Sequence, residues 1–234
     1  MDAVKKELLM DAFADDYMTP EAIELVARAR ALAPKLAERA REAERQGMVP
    51  VETVKEMQEA GLFRVLQPKR WGGYELDPRV FYRVQMALAE GCMSTAWIYG
   101  VIGVHNWQLP LFPDQAQQDV WGQNSATLIA STYMPVGKAE KVEGGYRFSG
   151  RWAFSSGVEH CEWIFLGGLL LQLHPGADQG RIQRGVVHRA IHRRQILRCP
   201  ELAPGLAQLL GLPFLLFVLV VEAGEAVSTH TRHC

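Results

Sequence analysis

The sequence carries no Cys-x-x-Cys pair, no G-x-G-x-x-G or G-x-x-x-x-G-K loop and no G-x-S-x-G elbow in its 234 residues. Those absences leave thiol-redox chemistry, the two common phosphate cradles and the esterase nucleophile without support. The 4 cysteines, Cys92, Cys161, Cys199 and Cys234, are scattered, which fits a reduced, cytoplasmic setting. A surplus of one charge sign is also missing: 25 Lys+Arg against 26 Asp+Glu leave a net charge of −1. That balance gives no reason to expect nucleic acid or an anionic membrane as partner. The first 22 residues include Asp2, Lys5, Lys6, Glu7, Asp11, Asp15 and Asp16, so no secretory signal is expected. The most apolar run, Leu206 to Val221, holds Gln208 and Pro213 and is shorter than the ~20 residues of a membrane span. His160–Cys161 and His230 to Cys234 lack zinc-like spacing, and no metal site is expected.

What is present is globular: 48% hydrophobic and 22% charged residues, enough to build one large or two small domains. The composition shifts near residue 170. Residues 1–170 hold 18 Lys+Arg and 22 Asp+Glu, whereas residues 171–234 hold 7 and 4. Every basic residue of the second part apart from its His residues is Arg, and the last Lys is Lys141. All 6 Trp and all 6 Tyr precede residue 171, while 5 of the 7 His follow it. Arg, His, Pro and Leu without Lys or Tyr is the signature of a GC-rich gene read out of frame. Residues 171–234 are therefore expected to be an atypical, irregular tail, and no function is assigned to them.

The first part reads as helices up to residue 125. Thr19-Pro20-Glu21 is a capped helix start, with Ile23, Val26, Ala27 and Leu32 apolar and Gly47 as the stop. Pro50 opens a second helix with Val51, Val54 and Met57, ended by Gly61. Asp77-Pro78 starts a third, with Val80, Phe81, Val84, Ala87 and Leu88 as its apolar face. Ser94 or Thr95 starts a fourth through Trp97, Ile98 and Val101, and a short fifth runs from Pro113 to Trp121. Beyond residue 125 the period drops to 2. Strands are expected at Thr127–Ser131, Trp152–Phe154 and Trp163–Leu166, with a hairpin joining Lys138–Val142 to Tyr146–Ser149 through Glu143-Gly144-Gly145. The strand Trp163–Leu166 is expected at the sheet edge, with its backbone uncovered. The predicted fold class is α+β: an N-terminal all-helical domain over 1–125, then over 126–170 the start of an antiparallel β-sheet or barrel.

Three segments are more specific. They are Pro68-Lys69-Arg70-Trp71-Gly72-Gly73-Tyr74-Glu75-Leu76-Asp77-Pro78, Gly103-Val104-His105-Asn106-Trp107-Gln108-Leu109, and Gly144-Gly145-Tyr146-Arg147-Phe148-Ser149-Gly150-Arg151-Trp152-Ala153-Phe154-Ser155-Ser156-Gly157. In this order and spacing they resemble the acyl-CoA dehydrogenase superfamily. More narrowly, they are similar to its flavin-dependent monooxygenase branch, the oxygenase components of two-component aromatic hydroxylases of the secosteroid phenol hydroxylase type. The likeness covers about residues 20 to 170.

That resemblance implies a phenolic substrate, O2, and reduced FMN or FAD delivered by a separate flavin reductase. It places His105 at the substrate phenol, Ser156 near the flavin N5, and Ser131 beside both substrate and flavin. Trp107 is then a pocket residue on the substrate side. Trp152, Phe154 and Ser155 join Ser131 and Ser156 in contacting the cofactor, Trp163 adding a wall. An apolar slot with a few hydroxyl and amide donors is what a flavin ring needs, and an imidazole can orient or deprotonate a phenol. The family's pattern stops after Leu170. Its C-terminal helical bundle, which completes the flavin site, builds a homotetramer and supplies a second active-site His, is expected to be missing here. Two alternatives stay open from the sequence: an acyl-CoA dehydrogenase-type flavin oxidoreductase, and an inactive or partner-binding helical remnant.

Overall fold

A computed structural model describes residues 16–142, 145–171, 184–185, 196–197 and 218–222. Among the described residues six α-helices precede the strands. The first, α1 (Pro20–Gln46), is capped by Thr19, whose hydroxyl accepts from the Ala22 amide at 3.2 Å, and it stops at Gly47 with φ 66°. Its buried stripe is Ala22, Leu25, Val26, Ala29 and Leu36. Ile23, expected in that stripe, is 56% exposed, because the 3.6-residue period through Ala22, Leu25 and Ala29 turns position 23 outward.

Helix α2 (Val51–Glu59) buries Val54 and Met57 and leaves Val51 exposed. Helix α3 (Pro78–Ala89) starts at Asp77, whose carboxylate accepts from the Arg79 amide at 2.8 Å. It buries Val80, Phe81, Val84, Ala87 and Leu88, the whole predicted face. Helix α4 (Met93–Gly103) follows. Thr95, Ala96, Tyr99, Ile102 and Gly103 turn inward, and Trp97 is 59% exposed. Tyr99 decides this: its ring stacks on Phe81 at 4.8 Å, and its hydroxyl donates to the Leu62 carbonyl at 3.3 Å. A four-residue α5 (His105–Gln108) follows, then α6 (Asp114–Trp121).

Three strands come next: β1 (Ile129–Val142), β2 (Gly145–Ser149) and β3 (Trp163–Leu171). The β1–β2 hairpin is antiparallel, Lys138 facing Ser149. The sheet is not antiparallel throughout, as the sequence suggested: β1 and β3 run parallel, Ile129 facing Trp163 and Thr132 facing Leu166. The reason is the connection. The chain leaves β1, returns along β2 and crosses back through residues 150–162 before entering β3 on the other side.

No strand forms at Trp152–Phe154. Phe154 has φ 60° and Gly157 φ 77°, values that take the chain out of extended conformation. Nor is β3 an uncovered edge. The tail contributes β4 (Arg184–Gly185), β5 (Ile196–Leu197) and β6 (Val218–Glu222), and β6 pairs antiparallel with β3 from Trp163 to Gly167. The expectation of an irregular tail otherwise falls outside the described residues, as do residues 206–217 of the apolar run. Among the described residues no helix is long and apolar enough to cross a membrane.

Candidate functional site

His105 opens α5, where the chain turns off α4, and it is 1% exposed. Its Nδ1 lies 2.6 Å from the Ile129 carbonyl on β1. A carbonyl only accepts, so Nδ1 carries the proton and Nε2 presents a lone pair. The Tyr133 hydroxyl stands 2.9 Å from that lone pair and 2.7 Å from Gln108 Oε1. Burial lowers the His105 pKa to about 4, against the pull of the Ile129 and Ile102 backbone. The imidazole is therefore neutral at pH 7, an acceptor rather than a cation.

Strand alternation puts Ser131 and Tyr133 on one face of β1, and burial holds the Tyr133 hydroxyl's pKa above its ordinary value, against the opposing pull of Ser131. The Ser131 carbonyl in turn accepts from Ser155 Oγ at 3.1 Å. Its neighbour Ser156 turns toward α4, where its oxygen accepts from Trp97 Nε1 at 3.3 Å. Gly157 seats this loop on α4: a Cβ there would lie 2.8 Å from Ile102 Cδ1 and 3.3 Å from Ile98 Cγ2. The loop 150–157 thus bridges helix and strand.

Phe154, at its left-handed φ, leaves its ring 93% exposed. Trp152 is pinned by its indole, Nε1 donating to the Gly167 carbonyl at 2.7 Å and the Met134 carbonyl at 3.1 Å. Trp107 is half-exposed on α5. Trp163 packs against the cluster of Leu109, Phe112, Val120, Trp121, Ile129 and Phe165.

The structure therefore joins His105, Ser131 and Ser155 along β1 and ties Ser156 to α4. Three participants were not among the sequence candidates: Tyr133, Gln108 and Trp97. The signal for Tyr133 was its place two residues past Ser131 on an alternating strand. Gln108 lies one helical turn after His105. Trp97 enters the sequence reading only as a residue along the fourth helix, and no signal there marks it as a partner of Ser156. Among the described residues no His/Cys/Asp/Glu cluster is placed to hold a metal.

Residues 19–127 match the acyl-CoA dehydrogenase N-terminal domain family. Its relatives define a narrower branch. The chain is 48% identical over 145 residues to the flavin-dependent monooxygenase oxygenase subunit HsaA of Rhodococcus jostii, covering 62% of this chain and 38% of that protein. It is 34% identical over 148 residues to the FADH(2)-dependent resorcinol hydroxylase oxygenase component of Rhizobium, covering 63% and 36%. The crystal structure of the HsaA monooxygenase from Mycobacterium tuberculosis superposes with a TM-score of 0.65 at 39% identity, over 71% of this chain and 42% of that one. The chain spans less than two-fifths of the length of these curated relatives.

Proposed function

We propose that the chain acts as the oxygenase component of a two-component flavin-dependent monooxygenase, hydroxylating a phenolic ring with O2. A separate reductase would supply the reduced flavin, FMN or FAD, in the cytoplasm. The reading includes a helical domain to residue 125 and a β-domain from 126 to 170.

The observation that carries it is His105. A buried, neutral imidazole with Nδ1 committed to Ile129 offers one lone pair, and the group standing on that lone pair is a phenol hydroxyl, that of Tyr133. A substrate phenol taking the same place would be oriented through its O–H. The low pKa makes His105 a positioning acceptor more than a full base: imidazole draws on the phenolic proton and leaves electron density on the ring, where an electrophilic oxygen attacks. The relatives named for phenol hydroxylation support this substrate class.

The loop fits a flavin. Phe154 offers an exposed aromatic face, and Trp152 retains its ring faces while its N–H is spent. Ser156 accepts from Trp97, so its own proton stays available to a cofactor atom such as N5; Ser155 gives its proton to Ser131 and can only accept. A bound reduced flavin would supply the electrons that activate O2.

Anaerobic titration tests the reading. Purified protein should bind reduced FMN or FAD, and calorimetry should detect 4-methylphenol. His105→Ala should weaken 4-methylphenol binding about tenfold and leave flavin binding within twofold. Equal loss of both ligands would show a structural role, and unchanged phenol binding would remove His105 from the site.

A further inference from the structure

The phenol hydroxyl now on His105 belongs to the chain itself. Tyr133 Oη meets His105 Nε2 at 2.9 Å and Gln108 Oε1 at 2.7 Å. Its single proton serves one of the two acceptors at a time. His105 is the residue assigned above to the substrate hydroxyl. Tyr133 therefore makes, from within the molecule, the contact with His105 that a substrate phenol would make.

The rest of Tyr133 is built to leave. The residue is 53% exposed, as are its neighbours Met134 and Val136 on β1 to a similar degree. Swinging the ring outward opens no apolar core, since His105 keeps Phe165 against its edge at 5.4 Å and Ile129 on Nδ1. Leaving Nε2 buried with no partner is the costly alternative. A phenol entering the seat restores that bond, and a hydrocarbon of the same shape does not.

We propose that Tyr133 is the internal competitor of the phenol seat: its hydroxyl closes the site on His105, and a substrate hydroxyl displaces it. The inference rests on the reading of His105 given above. It assigns Tyr133 a gating role, not a catalytic one, and makes a thermodynamic demand. An internal competitor lowers the fraction of open seat, so it weakens every ligand of that seat by one common factor. A residue that contacts the bound phenol directly would instead change phenol affinity alone.

The test compares 4-methylphenol with 1,4-dimethylbenzene, in which a methyl replaces the hydroxyl, on wild type, Tyr133→Phe and His105→Ala. Tyr133→Phe keeps the ring and removes the competing hydroxyl. Both probes should then bind about fivefold tighter, the worth of one neutral hydrogen bond, with their ratio unchanged. The same result with wild type too weak to measure and Tyr133→Phe measurable also supports the gate. Weaker or unchanged binding of 4-methylphenol to Tyr133→Phe overturns it, as does tightening of one probe only or binding of neither. His105→Ala separates the two levels. Loss of the preference for 4-methylphenol there upholds the seat even if the gate fails, and its survival removes the seat itself.

Discussion

At the scale of single residues, the site is a set of protons already committed. His105 Nδ1 gives its proton to Ile129, Ser155 gives its own to Ser131, and Trp97 gives to Ser156. Each commitment leaves a defined acceptor or donor facing outward, which is how a fixed scaffold orients a ligand. The cost falls on His105, held neutral by burial with a pKa near 4 against an ordinary 6.5. The unfolded chain binds a proton on this His as pH drops below 6.5, and the folded chain does not until about 4. The unfolded state thus holds more protons in that window, and stability falls as pH falls through it, by up to ~3 kcal/mol. His160 is shifted in the same direction by burial, so the contribution of His105 needs a difference. Urea midpoints at pH 7 and 4.5 should drop further in wild type than in His105→Gln; equal drops would show that His105 titrates normally. Of the residues the family likeness singles out, the structure ties His105 and Ser155 to β1, the latter through Ser131, and sets Ser156 against Trp97. Tyr133 and Gln108 escaped the sequence reading because each is ordinary on its own and becomes chemical only where α5 meets β1.

At the scale of elements, legibility tracked how one-sided each segment is. Helix α3 gathers five apolar residues on one face, and all five are buried, while Tyr82 and Met86 stay exposed among Arg79, Arg83 and Gln85. Helix α4 is apolar nearly all round, so its period could not choose a face; stacking of Tyr99 on Phe81 chose it. The parallel β1–β3 pair is a non-local outcome of the crossover, and short-range alternation is blind to it. The stretch Trp152–Phe154 alternates like a strand yet is a loop, since nothing in Phe154 announces φ 60°. That loop is held by Gly157, which needs φ 77° and lies close to Ile102. Gly157→Ala adds a Cβ in the left-handed region and against Ile102 Cδ1, a side-chain tip that can give. The expected cost is ~1–2 kcal/mol, mostly backbone. Because the same loop carries Ser155 and Ser156, reduced-flavin affinity should fall several-fold alongside it. A loss of stability with flavin affinity intact would detach the loop from the cofactor.

At the scale of the whole molecule, helices and strands share one interior. The main apolar cluster runs from Leu25, Met57, Val84 and Tyr99 of the helices into Leu128, Ala130, Ile164 and Leu166 around the strands. The second cluster closes the seam below His105, with Phe165 of β3 stacked on Phe112 at 5.3 Å and set edge-on to the His105 ring at 5.4 Å. The site thus lies on a joint between two halves that neither half builds alone: His105 comes from the helices, and Ile129, Ser131 and Tyr133 come from the sheet. Such continuity predicts one cooperative transition. Phe165 is fully buried, and Phe165→Ala should cost ~3–5 kcal/mol through lost burial and the cavity left behind. Its reach should be global. Helix content by circular dichroism and the combined fluorescence of the 6 tryptophans should still fall together, at one lower midpoint. Should the helical signal hold its wild-type midpoint while fluorescence drops early, the two halves fold independently, and the seam could not be what fixes His105 against Ile129.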